Sequence, residues 1–238
     1  MPSRYLFIII VTIICSLFLS ITDSVYKQQI NDNKALDRKK NILLCTDINR
    51  DLLLSYEPLK IEEEYRNRIV EKVLEVNENG IVSDESIKIS DLMINDDLTT
   101  GMQTYLNDGK EYLPLYETEN RIIIPISGKG LWSTLYGFFA IDKQDYNTVK
   151  AITFYQHKET PGLGGEVDSE KFQNEFVGKK IYDNDWNLAS IGIVKAPNNN
   201  QVQAISGATI TSNGLNDFLK RDLSRYNEYF LSERSLNE

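Results

Sequence analysis

The sequence predicts an α+β protein: a single N-terminal transmembrane helix, then an extracytoplasmic domain in which an antiparallel or mixed sheet is flanked by helices. Three observations carry this. Residues 5–21 form an uncharged apolar run, and as a helix with Thr22 included it reaches about 27 Å, enough to cross a bilayer core. Residues 121–157 hold three runs rich in β-branched and aromatic residues, parted by Ser127-Gly128-Lys129-Gly130 and by Lys143-Gln-Asp-Tyr-Asn, the pattern of an antiparallel meander. Leu215, Phe218, Leu219, Leu223, Tyr226 and Phe230 recur at three- and four-residue spacing, one buried stripe of a closing helix. The expected domains are an anchor over 1–22, a helical stalk and polar α-rich region over 23–115, and a site-bearing domain over 116–238.

Composition narrows the function classes. With 41% hydrophobic residues in 238 positions, the chain has the apolar material for a real core. Its 26 basic against 35 acidic residues give a net charge of −9. No basic run could track a phosphate backbone, so no nucleic-acid partner is expected. Cys15 and Cys45 belong to no Cys-x-x-Cys pair, which argues against an iron–sulfur or zinc site.

The apolar run has a rival reading as a cleaved signal peptide. Its exit side, Ser20-Ile-Thr-Asp-Ser, lacks a small-x-small site, and the run is longer than an h-region, which favours a retained anchor that meets membrane lipid. Arg4 and the amino terminus precede it and Asp23 follows, so the start is placed in the cytoplasm and the remainder outside, in the periplasm if the membrane is a Gram-negative inner membrane. Residues 26–44 then read as a stalk helix. Cys45 at its end reads as a small packed hydrophobe. Residues 61–76, with Tyr65, Ile69, Val70, Val73, Leu74 and Val76 inward, read as a second helix closed by Gly80. After the meander a helix is expected near 169–177, an apolar strand over 188–195, a hairpin-like loop at Pro197-Asn-Asn-Asn, and a short strand over 202–205.

That last strand delivers Val202-Gln-Ala-Ile-Ser-Gly-Ala-Thr-Ile-Thr-Ser-Asn-Gly214, in which Ser206, Thr209, Thr211 and Ser212 crowd hydroxyls ahead of the closing helix. By its chemistry the string fits an ordinary capping turn. It equally fits a phosphate seated on unpaired helix amides. A second stretch, Glu159-Thr160-Pro161-Gly162-Leu163-Gly164-Gly165-Glu166, is too rich in glycine for a strand or helix interior, and lets backbone approach a planar or anionic ligand or simply connects to the next helix. Trp132 beside two glycines reads either as a core residue or as a wall for an aromatic ligand. His157, the sole histidine, is assigned no role.

Ser206-Gly207-Ala208-Thr209, followed by Ile-Thr-Ser, closely resembles the Ser/Thr-Gly-Ala-Thr flavinylation motif of FMN-binding domains. That family includes the C component of the sodium-translocating NADH:quinone oxidoreductase and the G component of the Rnf complex. Glu159-Thr-Pro-Gly-Leu-Gly164 and Gly130-Leu-Trp-Ser133 are similar to its other signatures, in family order. The resemblance implies FMN joined by a phosphoester to Thr209, and a flavin site of Ser206, Gly207, Ala208, Thr209, Glu159, Thr160, Gly162, Leu163, Gly164 and Trp132. It further implies electron relay to quinone, attachment by a flavin transferase, and partner subunits A, B, D, E and F of a membrane complex that oxidises NADH. The sodium-pumping enzyme is preferred over the Rnf machine on Gly130–Ser133 with Tyr136-Gly-Phe-Phe-Ala140. One departure stands out: Gln203 occupies a place where the family usually has Asp. The competing classes are an extracytoplasmic binding module for a non-flavin ligand and, less well supported, a serine hydrolase using Ser206, for which the Gly-x-Ser-x-Gly elbow is missing.

Overall fold

A computed structural model describes residues 2–77, 80–189 and 191–237. The chain divides into two compact units, Met1–Arg38 and Lys39–Glu238.

Helix α1 spans Pro2–Leu44. It is long and apolar enough to cross a membrane. Within the apolar run, Thr12, Ser16 and Thr22 donate their hydroxyls to the carbonyls of Ile8, Thr12 and Phe18, one turn back. These three hydroxyls are thereby satisfied inside the helix, as hydrocarbon surroundings require.

In the second unit, the short helix α2 (Arg50–Leu54), capped by Asn49, and α3 (Pro58–Arg68), started by a proline, lead into the sheet. The strands are β1 (Val70–Asn77), β2 (Gly80–Ser83), β3 (Met93–Asp96), β4 (Gln103–Asn107), β5 (Lys110–Glu117), β6 (Arg121–Lys129), β7 (Thr134–Asp142) and β8 (Val149–Gln156). They form one antiparallel sheet of order β2-β1-β5-β6-β7-β8, with β3 and β4 joined to it through β5. A 3₁₀ turn (Gly164–Asp168) and helix α4 (Glu170–Asn174) follow, then the two-residue strands β9 (Ile193–Val194) and β10 (Val202–Gln203), and helix α5 (Thr209–Asn237).

The sheet is buried on both faces. Ile122, Ile124 and Ile126 join the core that Leu215, Phe218, Leu219, Leu223, Tyr226 and Phe230 of α5 enter. Ile123, between them, is equally buried, which is why β6 reads as a continuous apolar run instead of an alternating one. Beneath the other face lies Cys45, its Sγ 3.6 Å from Thr153 Oγ1 and 3.9 Å from the Phe138 carbonyl. Burial pushes its thiol up to about 12. Helix α5 is also tied to the sheet by polar groups: the buried Asp222 carboxylate accepts the Ser127 N–H at 2.8 Å.

The meander and the closing helix form where the sequence places them, and the α+β class holds. Four details differ. Residues 61–76 are not one helix: α3 ends at Arg68 and β1 begins at Val70, because Ile69, Val70, Val73 and Val76 are β-branched and stiff at χ1. The expected α-rich region holds strands β1 to β4, and β5 runs across the expected boundary at 115/116. Its hairpin turns at Asp108 (φ 48°) and Gly109 (φ 78°), the left-handed pair of a two-residue turn. Of the apolar strand expected over 188–195, residue 190 lies outside the described residues, and the described ones hold β9 and an isolated bridge from Leu188 to Tyr182. Finally, β9 and β10 pair in parallel, Val202 opposite Ile193, so residues 197–200 form no hairpin.

Candidate functional site

The start of α5 sorts its hydroxyls. Thr211 and Ser212 are each 1% exposed, and both are engaged in packing: Thr211 donates to Glu159 Oε2 at 2.7 Å, and Ser212 Oγ accepts the Ile205 N–H at 3.2 Å. Ser206 and Thr209 are exposed, and among the described residues their hydroxyls have no partner. At 100° per residue, positions 209 and 211 lie on nearly opposite sides of the helix, so burying Thr211 turns Thr209 outward. The first helical bond is Ser212 N–H to the Ala208 carbonyl. The amides of Thr209, Ile210 and Thr211 therefore precede the hydrogen-bonded ladder.

Thr209, Ser206 and Gly207 line a cleft of about 490 Å³, together with Asn213, Lys195, Ile193 and Val194 of β9 and Gln203 of β10. That volume suits a small organic ligand, for which about 300–1,000 Å³ is usual. Its donors are hydroxyls, an amide and one ammonium, a set that matches a phosphate. Gly207 has φ +74°, and a Cβ there would lie 2.8 Å from Leu163 Cδ2, so the Ser-Gly-Ala-Thr turn and the Gly-rich loop touch.

The Gly-rich loop is held by its own residues. His157 accepts the Glu159 N–H at Nδ1 (3.1 Å) and shares a 2.6 Å hydrogen bond with Asp168 through Nε2. Both ring nitrogens are engaged, which leaves no histidine base for a Ser206 nucleophile. Glu159, 5% exposed, takes the N–H groups of Trp132 (2.9 Å) and Ser133 (3.1 Å) on Oε1, and that of Leu131 (3.2 Å) on Oε2 beside the Thr211 hydroxyl. Burial pushes its carboxyl up, and the Thr211 hydroxyl and these amides more than offset that, so it titrates below the ordinary carboxylate range.

The ten sequence-predicted residues thus separate. Thr209, Ser206 and Gly207 meet in the cleft; Ala208 is buried beneath them at 5% exposure. Leu163, 43% exposed, reaches Gly207. Gly164 packs against Glu159 and Thr211. Thr160 and Gly162 are exposed in the loop and do not line the cleft. Trp132 is 70% exposed, so the core reading of it fails and the side chain stands free to cover a ligand. Residues not singled out from the sequence are Lys195 and Asn213, which carry no motif, and Thr211 as the partner of Glu159, a pairing across more than fifty positions that no local pattern encodes. Gln203 donates Nε2–H to the Lys195 carbonyl at 2.9 Å while its own N–H goes to Glu175 Oε2 at 2.8 Å. It closes one wall of the cleft.

Residues 130–224 match the model of the FMN-binding domain family. The chain is 32% identical over 230 residues to NqrC, the C component of the Na(+)-translocating NADH-quinone reductase, of Pasteurella multocida, covering 90% of this chain and 86% of that one. It is 33% identical to the same component of the Yersinia pestis reductase, covering 88% and 84%. Among solved structures, the NqrC of Parabacteroides distasonis superposes with a TM-score of 0.67 at 28% identity, over 86% of this chain and 96% of that one. NqrC of Shewanella oneidensis, at 21% identity and a TM-score of 0.61 over 83% and 96%, shows the same fold. On relatives this similar over nearly its whole length, the chain belongs to the NqrC family of Na(+)-translocating NADH-quinone reductase components.

Proposed function

We propose that this chain is the membrane-anchored flavoprotein component of a sodium-pumping NADH:quinone reductase, and that FMN is held by a phosphoester to Thr209. The observation that carries the attachment point is the sorting of hydroxyls. Of the two threonines at the start of α5, Thr211 is consumed by Glu159, and Thr209 is left exposed and unpartnered among the described residues, lining the cleft.

The donor set fits a flavin phosphate. The unpaired first-turn amides and the partial positive charge at the start of a 29-residue helix favour an anion, and Lys195 supplies a full charge. Gly207 keeps the approach to the ester oxygen clear of a side chain. Trp132 and Leu163, both largely exposed, offer apolar surface to an aromatic ring. When bound, flavin supplies one- and two-electron chemistry. The chain's residues place it: a tether makes binding intramolecular and leaves the ring shallow enough for electron exchange with a neighbour. In this reading α1 anchors the protein in the inner membrane with its start in the cytoplasm and the sheet domain in the periplasm. The partners are subunits A, B, D, E and F, and a flavin transferase attaches the cofactor.

A denaturing gel of chain produced beside the transferase tests this. A fluorescent flavin band that survives denaturation and vanishes in Thr209→Ala is expected. An unmodified peptide spanning residue 209 in the mass spectrum of natively produced chain would sink the attachment.

A further inference from the structure

We propose that Glu159 is a positioning residue: its carboxylate never touches the flavin, yet by gripping the 131–133 turn and Thr211 together it sets how Trp132 and Thr209 face the cofactor. This rests on the reading that Thr209 carries the flavin.

Three consecutive N–H groups, those of Leu131, Trp132 and Ser133, converge on one carboxylate. Such a run of amides is an anion-binding concavity, and here the anion is the chain's own side chain. The fourth donor is the Thr211 hydroxyl. Each oxygen therefore takes two hydrogen bonds, at distances of 2.7–3.2 Å. With its acceptor sites occupied and 5% of its surface exposed, Glu159 has nothing left to offer a ligand. None of the ion pairs among the described residues involves it, so the charge is held by dipoles alone.

The surrounding glycines show how closely the chain is built round this group. A Cβ on Gly130 would sit 2.6 Å from Glu159 Oε1, and one on Gly164 would sit 2.7 Å from Oε2 and 2.8 Å from Thr211 Oγ1. The Lys158 N–H donates to Ser133 Oγ at 2.7 Å, which fastens the same turn a second time. The carboxylate thus joins three segments far apart in sequence, the Gly130–Ser133 turn, the Gly-rich loop and the first turn of α5. Two functional side chains hang from the joined segments. Trp132 projects from the turn, and Thr209 lies across the helix from Thr211.

The test uses Thr211→Val, nearly isosteric, with Thr211→Ser as the rescue and Glu159→Gln as the second lesion, all in Trp186→Phe chain so that Trp132 is the one tryptophan. In flavin-free protein, where Trp132 is already 70% exposed, the fluorescence anisotropy of its indole should fall in Thr211→Val and Glu159→Gln, as the turn that carries it loosens, and return to the parent value in Thr211→Ser. In chain produced with the transferase, native flavin fluorescence per attached flavin should rise in the two lesions, and likewise in Trp132→Ala as the control, because the ring is no longer held against the indole. Folded variants whose Trp132 anisotropy and per-flavin fluorescence both equal the parent overturn the proposal. The flavin-free arm separates failures: if Trp132 loosens but no chain, parent included, ever carries flavin on a denaturing gel, the flavin reading is what fails, and the positioning role toward a flavin goes with it.

Discussion

Helix α5 is fastened to the sheet at both ends by a buried carboxylate, and the two fastenings are made differently. Near its C-terminal end, Tyr229 donates to Glu117, whose oxygens also meet Lys72 at 3.0 Å and Lys143 at 2.7 Å. Near its N-terminal end, Thr211 donates to Glu159, which among the described residues meets only backbone amides besides. Glu117 is neutralised by full charges on flexible stems, a fastening that tolerates movement. Glu159 is neutralised by dipoles fixed in a turn, so any movement of the turn or the helix costs hydrogen bonds directly. The rigid fastening stands beside the candidate cofactor site, and the compliant one stands away from it, where stability alone is served.

The largest expected effect lies at the C-terminal end. Glu117→Ala should destabilise the chain by about 3 kcal/mol, the low end for breaking a buried ion pair, because the two lysines are 35% exposed and return partly to water. Urea unfolding measures it, with the proposed attachment of flavin at Thr209 expected to survive; loss of attachment at unchanged stability would break the comparison. Next comes Gly164→Ala, whose added methyl collides with both Glu159 and Thr211. It should cost roughly 1–3 kcal/mol as overpacking and, unlike Glu117→Ala, release the flavin fluorescence.

Acid should weaken both ends. For Glu117, burial pushes the carboxyl up and the Lys143 and Lys72 contacts more than offset it, leaving it below the ordinary range; Glu159 is depressed likewise. A depressed folded value means the stabilisation is fully present above the unfolded value of about 4.3 and is lost as pH falls through the folded one. Stability of the wild type should therefore drop more steeply below about pH 4.3 than that of Glu117→Gln or of Glu159→Gln. Parallel slopes in urea titrations would remove the electrostatic account of that end. The smallest effect separates the two: raising salt screens partly exposed charges within a Debye length of about 8 Å. The stability gap between wild type and Glu117→Gln should narrow by a few tenths of a kcal/mol, and the gap for Glu159→Gln should hold.

The sequence exposes one end of this arrangement better than the other. The stripe from Leu215 to Phe230 is legible because six apolar residues keep helical spacing, and all six are buried. Ser206–Thr209 is legible because hydroxyls and a glycine crowd ahead of that stripe. The strands over 70–117 are hidden by Tyr65, Ile69, Val73 and Val76, whose spacing imitates a helix. Better signals lie in the density of β-branched residues and in Asp108-Gly109 between two apolar runs, a hairpin turn by its chemistry. The Glu159–Thr211 pairing and the parallel contact of β9 with β10 depend on tertiary packing, which local spacing does not carry. Trp132 is ambiguous in sequence for a physical reason: aromatic cores and aromatic-walled sites use the same residues.

The approach of Leu163 to Gly207 has a bearing on how this chain could be redesigned. Because a single methyl on residue 207 would already press on that leucine, and the backbone there has φ +74°, the two strings are physically coupled at this point. A library randomising position 207 alone should return glycine. One randomising 163 and 207 together should relax the leucine and still return glycine at 207, because the left-handed backbone there strains any side chain whatever stands at 163.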